Sequence, residues 1–354
     1  MVSPKHFNRD FLKYFLMSVI DNKYRLLTLL SENEVSSVFL GEYMPTGRYV
    51  IIKIPAPGQE QLALVRYEKE YGILVGLNHP NIIKVIDFSN RFPYLVLEYI
   101  DGENALTAYK NHSVPLDESY AYLLQLHGAI KYLHRQRIIH RDIKPSNILI
   151  EKHSKRAVLV DFETSRNIND IDNIKIYSGD YSPPELLNGH SDYFTDTYSL
   201  SKVAIFMLSN KSPTEKITLY HRLSYLMEED YTKRSNYVDE ILSILPKKPL
   251  LYFYQEGIVN KLYPLNEEGL KIGRGNVCEI KIDDINAYID EVHAFIKKEN
   301  ETYIIYDNNS VNGLWVFDMG SYVRVQRHIL RNNDILSFGW NSRSGPYMNL
   351  RVFI

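Results

Sequence analysis

The first part of the chain combines two hydrophobic patterns. Residues 49–54 form an apolar, branched run of strand length, and similar short runs separated by turns surround it. Farther along, Leu123, Leu126, Ile130 and Leu133 recur at spacings of three and four residues, which predicts one buried stripe of a long helix. Strands therefore come first in this part of the chain, and a helical segment follows.

The pattern changes at residues 245–250, where prolines and lysines interrupt it. Short strand-like segments bounded by Gly, Asn and Asp turns follow, at residues 270–272, 279–282, 302–306 and 334–338. Segments with this length and spacing predict a β-sandwich. We therefore expect two domains, over residues 24–245 and 250–354, joined by a linker at residues 246–249.

The apolar run at residues 11–20 is the richest near the start of the chain, but it is shorter than the ~20 residues that span a bilayer. It has neither a basic start nor a small-residue cleavage site, so it does not indicate a signal peptide. We expect an amphipathic helix packed on the next domain, within a helical extension over residues 1–23. No membrane span is expected.

Composition narrows the classes of function. The chain has 354 residues, which is room for two domains of roughly 150 residues. Lys and Arg number 41 and Asp and Glu 43, so the net charge of −2 gives no sign of a nucleic-acid partner or an anionic membrane. Cys278 is the one cysteine, which excludes an internal disulfide and fits a reducing, cytoplasmic location.

The most informative segment covers residues 139–149 and reads Ile-His-Arg-Asp-Ile-Lys-Pro-Ser-Asn-Ile-Leu. It resembles the catalytic loop of the eukaryotic-type protein kinases, whose pattern is H-R-D-x-K-x-x-N. The resemblance implies that Asp142 accepts or orients the proton of the substrate hydroxyl, that Lys144 neutralises charge on the phosphoryl group, and that Asn147 holds a metal ion. A lysine at position 144 also implies serine/threonine specificity.

Further kinase motifs follow the order of that family. Lys53 matches the lysine that contacts the ATP phosphates, and Glu70 matches its carboxylate partner, with Glu68 as a rival candidate. Asp161 begins an Asp-Phe-Glu sequence and matches the aspartate that chelates Mg²⁺, or Mn²⁺, in the family's D-F-G motif. The resemblance therefore implies ATP and a divalent metal as cofactors.

Residues 95–102 resemble the hinge strand, whose backbone contacts adenine. Leu97 falls at the gatekeeper position, and Glu98 and Tyr99 follow it. Val38 and Leu149 complete the residues assigned to ATP binding. The resemblance covers about residues 24–245 and implies a two-lobed α+β kinase fold.

Three later residues support this resemblance. Glu185 and Arg234 match a pair that forms a buried ion pair in the family, and Asp196 matches the aspartate that braces the backbone of the catalytic loop. Arg141 precedes Asp142, an arrangement that in this family lets a phosphate on the activation segment, here residues 161–185, pair with the arginine. The candidate phosphorylation sites are Thr164, Tyr177 and Ser178, whereas Asp170 and Asp172 could supply the charge without modification.

The sequence also departs from the family. Ser31, Asn33 and Ser36 stand at the three positions of the glycine-rich loop, whose glycines allow the backbone to approach the phosphates. We expect weaker nucleotide binding as a result. Glu163 replaces the glycine of D-F-G, which should restrict how this segment changes conformation.

The C-terminal part resembles a forkhead-associated (FHA) domain. The residues that carry the resemblance are Gly273-Arg274, His293, residues 309–313 and residues 333–339. Such domains bind phosphothreonine peptides, which implies that Arg274 and Asn312 contact the phosphopeptide. Asp290, followed by Glu291, stands where the family has a phosphate-binding serine, and a carboxylate there repels a phosphate. His293 is expected to be structural.

The sequence is compatible with two functions. The first is a serine/threonine kinase that transfers the γ-phosphate of ATP to a protein substrate and uses its FHA-like domain to bind phosphothreonine peptides, other proteins or itself. The second is a pseudokinase that serves as an interaction scaffold. The missing glycines and Glu163 motivate the second, whereas the retention of Lys53, Asp142 and Asp161 favours the first.

Overall fold

The computed structural model describes residues 19–170, 175, 179–208, 213–234, 238–244, 250–255, 258–265, 269–284, 286–318, 321–331, 334–341 and 345–353. Most of the expected N-terminal extension and all of the expected linker lie outside these ranges. Val19–Ile20 form a strand that pairs with Tyr24 and Arg25, so the prediction of a helix is wrong at these two residues. In the part of the chain that is described, no helix combines the length and the apolar character needed to cross a bilayer.

Six antiparallel strands form the first sheet, in the order β1-β2-β3-β4-β6-β5. They are β1 (Val19–Ile20), β2 (Tyr24–Glu32), β3 (Ser36–Tyr43), β4 (Arg48–Pro55), β5 (Val85–Ser89) and β6 (Tyr94–Glu98). Helix α1 (Glu60–Leu74) follows β4 in the sequence and packs against β4, β5 and β6. The sheet and this helix make up the N-terminal lobe.

Alternation along β4 gives the first sheet two different faces. Ile52 is buried in a small core on one face, and Lys53 points to the other. Val38 on β3 and Leu95 on β6 are the register partners of Lys53, so they share its face. Leu97, two residues after Leu95, lies on this face as well. Three of the residues assigned to ATP binding are therefore brought together by strand register.

The second lobe is mainly helical. Its helices are α2 (Ala105–Asn111), α3 (Leu116–Arg135), α4 (Tyr193–Leu208) and α5 (Pro213–Leu223). Its short strands are β7 (Gly102–Asn104), β8 (Ile138–Ile139), β9 (Ile148–Glu151), β10 (Ala157–Leu159) and β11 (Arg166–Asn167). The stripe predicted on α3 is buried, since Leu126, Ile130 and Leu133 are all 0% exposed, and α3 packs against α4.

Two short strand pairs place the functional loops side by side. Strand β8 pairs with β11, and β9 pairs with β10, in both cases antiparallel. The loop 140–147 leaves β8 and enters β9, while the loop 160–165 leaves β10 and enters β11. Because both loops begin and end at paired strands, the catalytic loop and the Asp-Phe-Glu segment are held next to each other.

A buried ion pair joins the end of the activation segment to the base of the second lobe. Arg234 Nη1 lies 2.7 Å from Glu185 Oε1, and the two side chains are 0% and 1% exposed. The guanidinium also lies over the Tyr198 ring, at 4.7 Å from its centroid, and Thr195 Oγ1 donates to Glu185. The ion pair predicted from the sequence is confirmed.

The C-terminal domain consists of two packed sheets. One has the order β13-β12-β22-β21-β18-β19 and the other β15-β14-β16-β17-β20. Their strands are β12 (Leu250–Gln255), β13 (Ile258–Pro264), β14 (Leu270–Gly273), β15 (Ile280–Lys281), β16 (Ala294–Glu299), β17 (Thr302–Asp307), β18 (Leu314–Asp318), β19 (Ser321–Val325), β20 (Arg327–Ile329), β21 (Ile335–Asn341) and β22 (Gly345–Phe353). Ile272, Ile305, Leu336 and Leu350 fill the core between the sheets. The predicted β-sandwich is confirmed, and its strand β13 lies against helix α3 of the preceding domain.

Removing Arg234 should destabilise the second lobe strongly. Arg234→Ala leaves the Glu185 carboxylate buried without its cation, which costs about 3–5 kcal/mol of unfolding free energy. Denaturant unfolding measures this loss. Lys23→Ala, at an exposed ion pair with Asp87, serves as the control and should cost at most about 1 kcal/mol. Equal losses in the two variants would contradict the prediction.

Candidate active site

Lys53 and Glu70 form an ion pair between strand β4 and helix α1. Lys53 Nζ lies 2.9 Å from Glu70 Oε1 and 2.7 Å from Oε2. The side chains are 14% and 1% exposed. Glu68, the rival candidate, is exposed. The structure therefore brings Lys53 together with Glu70.

Charge in the surroundings keeps Lys53 protonated. Burial alone lowers the pKa of Lys53, but the carboxylates of Glu70 and Asp161 outweigh it and raise the pKa above its usual value. The main-chain amide of Phe162 also donates to Glu70 Oε1 at 3.4 Å. Glu70 thus contacts both the lysine and the segment that follows Asp161, and a cation is held where the family has its phosphate-binding lysine.

Asp142, Lys144 and Asn147 converge within the catalytic loop. Lys144 Nζ lies 2.8 Å from Asp142 Oδ2, and Asn147 Nδ2 donates to the same oxygen at 2.8 Å. Asn147 Nδ2 also donates to the Asp142 carbonyl at 3.0 Å. Lys144 and Asn147 both contact Oδ2 and thereby orient the Asp142 carboxylate. The direction of Oδ1 is fixed as a result.

Asp196 holds the backbone of this loop. Its two oxygens accept from the amides of His140, at 3.0 Å, and Arg141, at 2.9 Å. His134 Nε2 lies 3.1 Å from Oδ2. Burial raises the pKa of Asp196, but the hydrogen bond from His134, the charges of His134 and His140 and the Arg141 amide reverse this and hold the pKa below its usual value. An anion on helix α4 therefore fixes Arg141 in a left-handed conformation, with φ of 70°.

His140 and Phe162 pack the two functional loops together. Their rings are 4.6 Å apart and nearly perpendicular, and both side chains are 0% exposed. The amide of Asp142 donates to His140 Nδ1, so Nε2 carries the proton and donates to the Val160 carbonyl. Burial lowers the pKa of His140, which favours this neutral form. Asp161 is the residue after Val160 and has a φ of 67°.

The residues assigned to a metal ion have suitable chemistry. Asp161 offers a carboxylate and Asn147 a carboxamide oxygen, and both are hard ligands of the kind that Mg²⁺ and Mn²⁺ accept. Asn147 makes its two hydrogen bonds through Nδ2, and Oδ1 accepts none from the part of the chain that the structure describes. Groups of three or more His, Cys, Asp and Glu side chains arranged for a metal do not occur among the described residues.

Among the residues assigned to ATP binding, Leu97, Leu149 and Val38 are apolar, and the side chains of Glu98 and Tyr99 face elsewhere. Leu97 is buried, and Leu149 and Val38 are partly buried. Glu98 accepts from the Lys84 amide and from Arg156, which turns its carboxylate outward, and the ring of Tyr99 packs on Tyr49. Glu98 and Tyr99 could therefore contact adenine only through their backbone groups.

The tip of the β2–β3 hairpin is closed by its own side chain. Asn33 Oδ1 accepts from the amides of Val35, at 2.9 Å, and Ser36, at 2.8 Å. Val35 is buried, and the Tyr67 hydroxyl of α1 donates to Ser36 Oγ at 2.8 Å. In a glycine-rich loop such amides face the phosphates. Here the side chain of Asn33 occupies two of these amides. The sequence showed that the glycines are missing but did not predict this cap.

Arg141, assigned to an activation-segment phosphate, is buried. Its Nε donates to the Thr164 carbonyl at 2.6 Å, and the Thr164 hydroxyl donates to the His140 carbonyl. Both groups tie the start of the activation segment to the catalytic loop. Two candidate phosphorylation sites, Tyr177 and Ser178, and the candidate charge Asp172 lie outside the described residues.

The FHA-like pocket is built on a close backbone approach. A Cβ at Gly273 would lie 2.3 Å from the Glu291 carbonyl, so glycine is required there. The amide of Arg274 donates to the Asp290 carbonyl at 3.1 Å. His293 is fully buried; it accepts from the Asp290 amide and donates to the Gly313 carbonyl, as expected of a structural residue.

Asp290 contacts the loop that carries Asn312. Its Oδ2 accepts from the Val311 amide at 2.9 Å, and Asn312 Nδ2 donates to the Tyr288 carbonyl at 2.9 Å. Arg274 is exposed, and among the described residues it forms no ion pair with Asp290 or Glu291. Among the described residues, neither of these two carboxylates therefore neutralises the guanidinium of Arg274.

Comparison with known proteins agrees with this geometry. The model of the protein kinase domain matches residues 24–247. The chain belongs to the protein kinase family. The model of the FHA domain matches residues 270–339, so the protein kinase domain is followed by an FHA domain. Both family assignments made from the sequence are confirmed.

The relatives are serine/threonine kinases by name. The probable serine/threonine-protein kinase KIN1 homolog of Enterocytozoon bieneusi is 33% identical over 198 residues, which cover 54% of this chain and 33% of that protein. Serine/threonine-protein kinase PknA of Nostoc is 31% identical over 226 residues, 57% of this chain and 40% of that protein. The matches thus span less than half the length of these relatives.

Opening the hairpin tip should strengthen nucleotide binding. Asn33→Gly frees the amides of Val35 and Ser36 for phosphate oxygens, and we expect the KM for ATP to fall by about two- to tenfold, the value of one or two hydrogen bonds. Steady-state kinetics with varied ATP measures this. Glu34→Gly adds a glycine to the same turn without removing the cap and serves as the control. A KM that falls equally in both variants would count against the cap.

Proposed function

We propose that this chain is an ATP-dependent serine/threonine protein kinase whose FHA domain docks phosphopeptides or proteins. The observation that carries the proposal is the assembled ion pair of Lys53 and Glu70 at the face of the sheet that also bears Val38 and Leu97. Such a pair places a cation over the α and β phosphates of a bound nucleotide. Family membership and the names of the relatives support the same reaction.

The catalytic loop supplies the groups for transfer to a hydroxyl. Asp142, oriented by Lys144 and Asn147, would orient the acceptor hydroxyl and take its proton. Lys144 would offset the charge that builds up on the transferred phosphoryl group. Asn147 and Asp161 would hold Mg²⁺ or Mn²⁺. A bound metal ion would neutralise negative charge on the phosphates of the nucleotide. The acceptor group is the hydroxyl of a serine or threonine in a protein substrate, as the lysine at position 144 implies.

One observation favours the alternative, a pseudokinase scaffold. Asn33 occupies the Val35 and Ser36 amides, so the hairpin tip offers fewer contacts to a nucleotide. This departure weakens binding but leaves Lys53, Asp142 and Asp161 in place. Loss of a group that acts on the transition state has larger effects on rate than loss of phosphate contacts in the loop. The active enzyme is therefore the better supported of the two functions.

Transfer of labelled phosphate from ATP to a generic protein acceptor tests the proposed activity. Asp142→Asn keeps the shape of the side chain but removes the base, so the rate should fall about 100- to 10,000-fold. Asp318→Asn, an exposed position on β18, is the matched control and should behave as the unmodified chain. Transfer that is undetectable in the unmodified chain, or equal in both variants, would support the scaffold.

The FHA domain is proposed to bind phosphothreonine peptides weakly. The exposed guanidinium of Arg274 is placed to meet a phosphate, and Asn312 lies on the neighbouring loop. Asp290 acts against this, because its carboxylate stands beside the pocket and uses the Val311 amide. Attraction by Arg274 and repulsion by Asp290 therefore oppose each other.

Replacing Asp290 should reveal the pocket. We expect Asp290→Ser in the full chain to bind a fluorescent phosphothreonine peptide at least about tenfold more tightly than the unmodified chain, since a repulsive charge is removed and a donor is gained. Fluorescence anisotropy gives both affinities. Arg274→Ala should abolish the gain, whereas the exposed Arg331→Ala should not. Tight binding by the unmodified chain would show that Asp290 is no obstacle.

A further inference from the structure

Glu163, the residue that replaces the glycine of D-F-G, has a partner on helix α1. Its Oε1 forms an ion pair with Arg66 Nη1. Arg66 precedes Glu70 by four residues, so the two side chains lie on the same face of the helix, one turn apart. Helix α1 therefore contacts the Asp-Phe-Glu segment through Arg66 and strand β4 through Glu70.

Helix α1 has a small apolar anchor. Its buried residues are Ala63, Tyr67, Glu70 and Leu74, and one of these is charged. Leu62 and Val65 on the same helix are 44% and 63% exposed. Tyr71 and Ile73 are also partly buried against the core, and polar contacts at other positions of the helix help to set where it lies. These contacts include Tyr67 to Ser36, Glu70 to Lys53 and to the Phe162 amide, and Arg66 to Glu163.

The backbone at position 163 accommodates a side chain. Asp161 has a φ of 67°, in the left-handed region, but Glu163 is not among the residues with positive φ. A glycine at position 163 would allow both negative and positive φ, whereas a glutamate disfavours any rearrangement that needs a positive φ there. The side chain that forms the ion pair thus also narrows the conformations open to the segment.

We propose that Arg66 and Glu163 are a positioning pair that holds helix α1 where Glu70 meets Lys53. This inference rests on the proposed kinase function. Neither residue contacts the reacting atoms; both act through the Lys53–Glu70 pair. Glu163 therefore has a defined task in the assembled site, and its presence is not a sign of lost activity.

A double-mutant cycle tests the pair in the full chain. Arg66→Gln and Glu163→Gln should each lower kcat by about two- to fivefold, the contribution of a half-exposed ion pair. The double variant should be no slower than either single variant, because the interaction can be lost only once. Arg66→Lys, which keeps the charge, should recover part of the rate. High salt should reduce the difference between Glu163→Gln and the unmodified chain.

A matched control is available in the same lobe. Arg25 and Glu42 form an ion pair with side chains 40% and 26% exposed, against 39% and 27% for Arg66 and Glu163. Glu42→Gln should leave kcat unchanged. Hydrogen–deuterium exchange of residues 60–74 should rise in Arg66→Gln and Glu163→Gln, but not in Glu42→Gln. This measurement does not depend on activity.

The outcomes separate the inference from the proposed function. If Lys53→Met abolishes transfer while Arg66→Gln and Glu163→Gln change neither kcat nor exchange, the kinase stands and the positioning pair is wrong. If Glu163→Gln is slow but Arg66→Gln is not, Glu163 acts on another group, and the pair is again wrong. If Lys53→Met transfers phosphate as fast as the unmodified chain, the proposed function fails, and the exchange data alone decide the positioning of α1.

Discussion

The ion pair between Lys53 and Glu70 is the interaction on which the rest of the site depends. It joins strand β4 to helix α1 at a place where both side chains are withdrawn from water, so a shift of the helix would leave a buried charge without its partner. Strand register places Lys53 among the apolar residues of one sheet face. The Phe162 amide donates to the Glu70 carboxylate and so links the Asp-Phe-Glu segment to the pair.

A second buried anion, Asp196, fixes a functional loop in the other lobe. Asp196 accepts the amides of His140 and Arg141 and thereby holds the loop that presents Asp142. His140 in turn packs on Phe162, which follows Asp161. The two lobes therefore contribute prearranged charges to one site. The electrostatic work of orienting them is done during folding, before any substrate binds.

The charged residues of this arrangement could be predicted because they match motifs of the protein kinase family, and the elements that carry them because of their local spacing. The period of β4 places Lys53 on the face opposite Ile52, and the buried stripe of α3 follows from helical periodicity. Side-chain pairs that are distant in sequence and match no family motif could not be predicted. Arg66 with Glu163, and Asp290 with the Val311 amide, depend on how separate elements approach one another. The cap formed by Asn33 is local, but a turn without glycine does not indicate which amides its side chain will bind.

The Lys53–Glu70 pair is assembled in the chain before any phosphorylation. The most direct test of this preassembly is the time course of phosphoryl transfer by protein that mass spectrometry shows to carry no phosphate. We expect transfer at its full rate from the first turnover, with no dependence on earlier incubation with ATP. A lag that disappears after such incubation, together with new phosphate in residues 161–185, would show that modification assembles the site and would contradict a preassembled Lys53–Glu70 pair.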